Sequence, residues 1–295
     1  MNTIWVIGSQ NIDHIYYMKE LPLQGRTVLA DSYVSATGGK GANQAIAAAH
    51  FGAHVEMIGC VGDDAAGDTL LGTLRARGVG TGYVQRIAGA SGSAVVYVDR
   101  AGANCITIYP GANRKISAQA LPVFQKGDFL LAQMEVNTDA LLAGFAAAKR
   151  TGATTILNPS PYHSDVEHLL PLADILVLNE HEAYEASGVS PENWEAAMAC
   201  MVALSHRGTK EVVITLGGKG AVCRDGEQTF AIDGISARVV DTQGAGDAFL
   251  GALASRLAAG AGLREAAGFA NRVGAYAVTK SGSTQVSLPE SGERF

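Results

Sequence analysis

Asp241-Thr242-Gln243-Gly244-Ala245-Gly246-Asp247 runs without a break into the apolar stretch Ala248-Phe249-Leu250-Gly251-Ala252-Leu253-Ala254. Three small residues between two carboxylates bury little surface, so the value of this heptad lies in its backbone. Gly244, Ala245 and Gly246 let consecutive N–H groups converge where a helix begins. A helix N-terminus has unsatisfied donors and the positive end of its dipole. Such a turn is a site for an anion, phosphate above all. Asp247 falls in the first turn of the predicted helix, where a base could meet a hydroxyl approaching that phosphate. Read alone, the stretch is equally a Gly-rich turn with Asp as an ordinary helix cap.

A second glycine stretch, Gly38-Gly39-Lys40-Gly41-Ala42-Asn43-Gln44-Ala45, stands near the other end of the chain, and Thr215-Leu216-Gly217-Gly218-Lys219-Gly220 forms a third. Neither Lys40 nor Lys219 is followed by Ser or Thr, which excludes a P-loop. Alone, Gly217–Gly220 reads as a hairpin turn. The heptad resembles the Asp-Thr-x-Gly-Ala-Gly-Asp signature of the ribokinase (PfkB-type) sugar kinases, and Gly38–Ala45 resembles that family's other signature. The two occur in the family's order, and the resemblance runs from Ile4 to about Pro289.

The composition agrees with a large enzyme domain. Of 295 residues, 47% are hydrophobic and 17% charged, which supports a substantial core and argues against disorder. A net charge of −6 without a Lys/Arg run argues against nucleic acid or an anionic membrane as partner. Cys60, Cys105, Cys200 and Cys223 show no C-x-x-C spacing and read as free thiols in a reducing compartment. No signal peptide and no 18-residue apolar span is visible, so the reading is a soluble cytoplasmic protein.

Outward from the heptad, the pattern alternates. Short apolar runs at 3–8, 55–61, 129–133, 154–157, 175–178 and 211–215 read as buried parallel strands. Helices are expected over 43–51, 64–77, 138–150 and 192–206, and from Asn179, Asp247 and Leu263. Repeated βα units predict an α/β fold, a mostly parallel sheet flanked by helices on both faces. Ala221–Cys223 and Thr229–Ile232 read as a short antiparallel pair. Strands at 14–17, 27–34, 93–98 and 105–109 break the alternation and predict a separate small sheet. In the ribokinase family such a sheet is a lid over the sugar. Residues 1–295 would then be one continuous domain with lid insertions at about 14–35 and 93–109.

The resemblance implies an ATP-dependent sugar kinase that uses Mg²⁺, with D-ribose phosphorylated at O5 as first expectation. Deoxyribose, fructose, 2-keto-3-deoxygluconate or a nucleoside are alternatives, as is a non-catalytic sugar- or nucleotide-binding regulator. It implies Asp247 as base, with the Gly244–Ala245–Gly246 turn as anion hole. For the sugar it implies Asn11, Asp13, Gly39, Lys40, Gly41, Asn43 and Glu135. For the nucleotide it implies Asn179, Glu182, Thr215, Gly217, Gly218, Gly220, Gly246 and Asn271, with Glu182 reaching Mg²⁺ indirectly. Without the resemblance, Asn179-x-x-Glu182 is a capping-box helix start and Glu135 a solvated loop acid. The resemblance also implies activation by K⁺, with Asp241, Gln243, Ala277, Lys280, Gly282 and Ser287 around it, and a homodimer formed through the lid. Two departures stand out: Arg26 follows Gly25 where the family usually carries Glu, and the loop before Ser287 is one residue longer.

Overall fold

The structure, a computed structural model, describes residues 2–280 and 288–289. The first seven strands are β1 (Thr3–Ile7), β2 (Asn11–Met18), β3 (Ala30–Gly38), β4 (His54–Gly62), β5 (Val79–Ile87), β6 (Gly92–Val98) and β7 (Asn104–Tyr109). The rest are β8 (Phe129–Ala132), β9 (Thr154–Leu157), β10 (Ile175–Asn179), β11 (Glu211–Thr215), β12 (Gly220–Asp225) and β13 (Gln228–Asp233). The helices are α1 (Lys40–His50), α2 (Ala65–Ala76), α3 (Thr138–Thr151), α4 (Val166–Leu169), α5 (Glu180–Ser187), α6 (Trp194–Ser205), α7 (Ala245–Ala258) and α8 (Leu263–Ala277).

Nine strands form one sheet in the order β13-β12-β11-β10-β9-β8-β1-β4-β5. All its pairs are parallel except β11–β12 and β12–β13. The central strands are continuous apolar runs because helices cover both faces. One core gathers Phe124, Leu141, Phe145, Leu176 and Leu204; the other gathers Ala45, Ala48, Leu250, Leu253 and Val273. The chain winds outward from β1 through β4 and β5 on one side, and from β8 through β11 on the other. This makes β1/β8 the switch point, where carboxyl ends of neighbouring strands open a crevice.

Four strands make the small sheet, in the order β3-β2-β6-β7. Its central pair β2–β6 is parallel, and the outer pairs are antiparallel. β2 starts at Asn11, earlier than the expected His14, and β3 spans Ala30–Gly38 rather than 27–34. The polar residues Asn11 and Asp13 hide the strand in the sequence, although they pair in register with Gly38 and Ala36. β5 was not predicted, because Gly80 and Gly82 interrupt a strand at the sheet edge. α1 begins at Lys40 rather than at 43, so much of the second glycine stretch is helix, while α3 starts at Thr138 as expected and ends at Thr151. Arg26 approaches Glu20 at 3.8 Å with both side chains exposed. The four cysteines are free, and among the described residues no helix is long and apolar enough to cross a membrane.

Candidate active site

α7 is preceded by Gly244, whose φ of 74° suits glycine and disfavours other residues. Asp247 is therefore held in the first helical turn, nearly buried, with its carboxylate gripped at both ends. Asn43 Nδ2 donates to Oδ2 at 3.0 Å and Gln44 Nε2 donates to Oδ1 at 2.9 Å. Both donors come from the start of α1, 204 and 203 positions away in the chain. Asn43, expected on a sugar hydroxyl, thus also orients the candidate base.

Gln44 is itself fixed, since its Oε1 accepts from Gln133 Nε2 at 2.5 Å. Its Nε2 also reaches Asn158 Oδ1 at 3.4 Å, and Asn158 Nδ2 donates to Glu182 Oε2 at 3.3 Å. A line of buried amides therefore joins the carboxylates of Asp247 and Glu182. Sequence reasoning missed Gln44, Gln133 and Asn158 as site residues. The available signal was positional: Gln133 and Asn158 directly follow β8 and β9, at the carboxyl edge of the sheet.

Asn179 and Glu182 form a complete capping box at the start of α5, with Glu182 N donating to Asn179 Oδ1 at 2.9 Å and Asn179 N to Glu182 Oε2 at 3.0 Å. The cap and the site coincide. Both residues line a cavity of about 220 Å³ together with Lys40, Thr215, Gly244, Gly246 and Asp247. Burial works against the charge of Lys40, but Asp247, Glu135 and Glu182 surround it and hold its ammonium above the ordinary lysine value. The cavity thus sets the start of α7, where helix N–H groups gather, together with one half-buried cation. It shares Asn179, Thr215, Thr242, Gly246 and Phe249 with a larger cavity of about 530 Å³. Gly217, Gly218, Gly220 and Asn271 line this second space beside the apolar Ile235, Val239 and Val278. Mostly polar at the shared end and more apolar beyond, the pair can take a ligand with one polar and one apolar part.

Near Asp247 stands Asp13, two residues from Asn11 on β2 and so on the same face. Asp13 accepts no hydrogen bond from any described residue. Burial, then the nearby carboxylates of Glu135 and Asp247, push its carboxyl up to about 7. Gly38 makes room for it, because a Cβ there would collide with Asp13 Oδ2. Glu135 is no solvated acid: Ser9 Oγ and the Lys40 N–H both donate to its Oε2, the latter at 3.2 Å. Gly39 precedes α1, and Gly41 packs against Gly8. A half-buried acid without a partner among the described residues is costly alone and useful where hydroxyls come to it.

At the far end of the heptad, Asp241 Oδ1 accepts from Gln243 N at 2.9 Å, and the Val240 and Asp241 N–H groups donate to Val278 O at 2.7 and 3.2 Å. The start of the heptad and the end of α8 therefore meet, bringing Asp241 beside Val278. Ala277 O accepts from Lys280 N, and Lys280 Nζ lies 4.8 Å from the Tyr276 ring. Gly282 and Ser287 lie outside the described residues. Among the described residues, no three His, Cys, Asp or Glu side chains cluster as metal ligands.

Residues 1–291 match the pfkB family carbohydrate kinases. The chain belongs to this family. The kinase is 34% identical over 293 residues to a ribokinase of Haemophilus influenzae, covering 97% of this chain and 95% of the relative. It is 32% identical over 292 residues to a deoxyribokinase of Salmonella typhimurium, with 97% and 95% covered. A solved Arabidopsis thaliana ribokinase in complex with ribose and ATP superposes with a TM-score of 0.85 at 30% identity, covering 96% of this kinase and 94% of that chain. In this carbohydrate kinase, the heptad and the Gly38–Ala45 stretch meet at Asp247, which lines the smaller cavity and lies near enough to Asp13 for their charges to interact.

Proposed function

We propose that this chain transfers the γ-phosphoryl group of ATP to the primary hydroxyl of a sugar, D-ribose at O5 first among them. The observation that carries the reading is Asp13, a half-buried carboxylate that accepts from no described residue, near an Asp247 carboxylate fixed by two amides. Asp13 accepts from sugar hydroxyls, while Asn11 and Glu135 complete the ring of contacts. Asp247 takes the proton of the primary hydroxyl as that oxygen attacks the γ-phosphorus in line. The bond from phosphorus to the β–γ bridging oxygen breaks, and ADP leaves. N–H groups of Gly244–Gly246 and the Lys40 ammonium stabilise charge on the transferring group. The nucleoside occupies the larger cavity beside Gly217, Gly218, Gly220 and Asn271.

Mg²⁺ bound with ATP would screen phosphate charge. Glu182 fits that ion through water, since only its Oε2 accepts hydrogen bonds from the described residues. A K⁺ held by the Asp241 carboxylate and by carbonyls near the end of α8 would stiffen the turn behind the anion hole. On β2, β3, β6 and β7, the face carrying Asp13 also carries Val34, Ile106 and Ile108, all exposed apolar residues. That face supports pairing of two chains through their small sheets, which would close each over its sugar. A second reading, deoxyribose, is favoured by the deoxyribokinase relative. The test is ADP release from MgATP across pentoses, deoxypentoses, hexoses, keto acids and nucleosides. Highest kcat/KM with D-ribose supports the proposal; preference for deoxyribose supports the second reading, and no acceptor at all overturns both.

A further inference from the structure

Asn113 lies in the helical turn Gly111–Lys115, where the chain leaves β7, and it is 1% exposed. No step above uses it. The Gln10 N–H donates to Asn113 Oδ1 at 3.0 Å, and Asn113 Nδ2 donates to Gln10 O at 3.2 Å and to Asn11 Oδ1 at 2.8 Å. A backbone N–H can only donate, so Gln10 decides which end of the Asn113 carboxamide is oxygen. Asn113 Nδ2 can only donate, so it decides the same for Asn11. Asn11 Nδ2 is thereby turned away from Asn113, and no described residue accepts from it. It is not among the buried polar atoms sealed without a partner.

Asn11 shares its face of β2 with Asp13, and the residues flanking the two across the sheet are Gly38, Gly92, Ala36 and Ala94. Small neighbours leave space over this pair for a ligand. Gly92 has a second part in the arrangement, because a Cβ there would collide with both Asn113 Nδ2 and Asn11 Oδ1.

We propose that Asn113 is a positioning residue that sets the hydrogen-bond polarity of the sugar subsite, presenting an obligate donor at Asn11 beside the acceptor Asp13. The proposal rests on the carbohydrate-kinase reading. A sugar must then bring an oxygen that accepts from Asn11 Nδ2. An analogue with hydrogen in place of that hydroxyl leaves the amide unpaired in a closed site, so the subsite selects against it.

The experiment measures sugar affinity by calorimetry and turnover kinetics for the preferred sugar and for analogues lacking one ring hydroxyl at a time. Asn113→Asp keeps the shape and the oxygen that accepts from Gln10, but removes the donor to Asn11. It should weaken sugar binding and raise its KM by about 10–100-fold, the range for an unmade buried hydrogen bond, and erase discrimination against one deoxy analogue. The KM for ATP should stay within about twofold, which loss of a merely structural brace would not ensure. In an Asn11→Ala background, Asn113→Asp should have no further effect on the sugar, because it acts through Asn11. Gly92→Ala crowds the same contact from β6 and should reproduce the loss, so a poorly folding Asn113→Asp does not end the test. An additional loss in the Asn11→Ala background, or an unchanged sugar KM in both single variants of an active parent, overturns the role of Asn113 alone. A parent that neither binds nor turns over any sugar overturns the kinase reading with it.

Discussion

Replacing Asp13 with Asn should make the protein more stable while removing its use of sugar. Burial and two neighbouring carboxylates lift this carboxyl from 3.8 to about 7. A rise of that size corresponds to a cost of about 4 kcal/mol whenever Asp13 is ionised in the folded state. Asn removes the charge but remains an unpartnered buried amide, which costs about 1–3 kcal/mol. The net gain is about 1–3 kcal/mol, on the order of 2–10 °C in Tm for a chain of this size. The sign with pH follows from the raised value. The penalty is full above about 7 and fades as pH falls from there towards 3.8, because Asp13 becomes neutral in the fold before it does in the unfolded chain. Thermal unfolding of both proteins at about pH 8 and about pH 5, with sugar calorimetry alongside, makes the comparison. The variant should melt higher at the alkaline pH, the gap should shrink at the acidic one, and sugar binding should fall by roughly 10²–10⁴. A variant less stable at about pH 8, or a gap that widens on acidification, would refute the account of Asp13 as a destabilising, ligand-ready acid.

Asp247→Asn should lower kcat by roughly 10²–10⁴ while sugar and nucleotide affinities measured by calorimetry hold; near-parental turnover would remove Asp247 as the base. KCl added to a K⁺-free buffer, with choline chloride keeping ionic strength constant, should raise activity saturably and more than NaCl does. Asp241→Ala should abolish that rise, and a flat response in the parent leaves Asp241 with only its cap to Gln243 N. Ile106→Glu places a charge on the exposed apolar face of the small sheet and should convert a two-chain species into single chains in light scattering. A parent that already runs as one chain contradicts pairing through that face.

The sequence carries the large sheet plainly, because runs such as residues 4–7 and 175–178 are buried on both faces and must be continuously apolar. It carries the heptad too, since a turn with a φ of 74° has to be written in glycine at Gly244. β5 escapes because Gly80 and Gly82 break the run, and the true start of β2 escapes because Asn11 and Asp13 are polar and show no apolar strand pattern. The amides Gln44, Gln133 and Asn158 were illegible for a different reason. Each looks like an ordinary loop or helix residue, and its meaning arises only when the fold brings it to Asp247 or Glu182. Asp13 was legible as a candidate, but its lack of any partner among the described residues is visible only in three dimensions.

The central claim is that Asp247 directs a sugar's primary hydroxyl onto the γ-phosphate of ATP. Phosphorus–proton correlation NMR of the product formed from D-ribose and MgATP tests it most directly. The account predicts one new phosphate ester coupled to the two C5 protons, formed in equal amount with ADP and lost with Asp247→Asn. Coupling to the anomeric proton, or ADP released with no sugar ester formed, would contradict it.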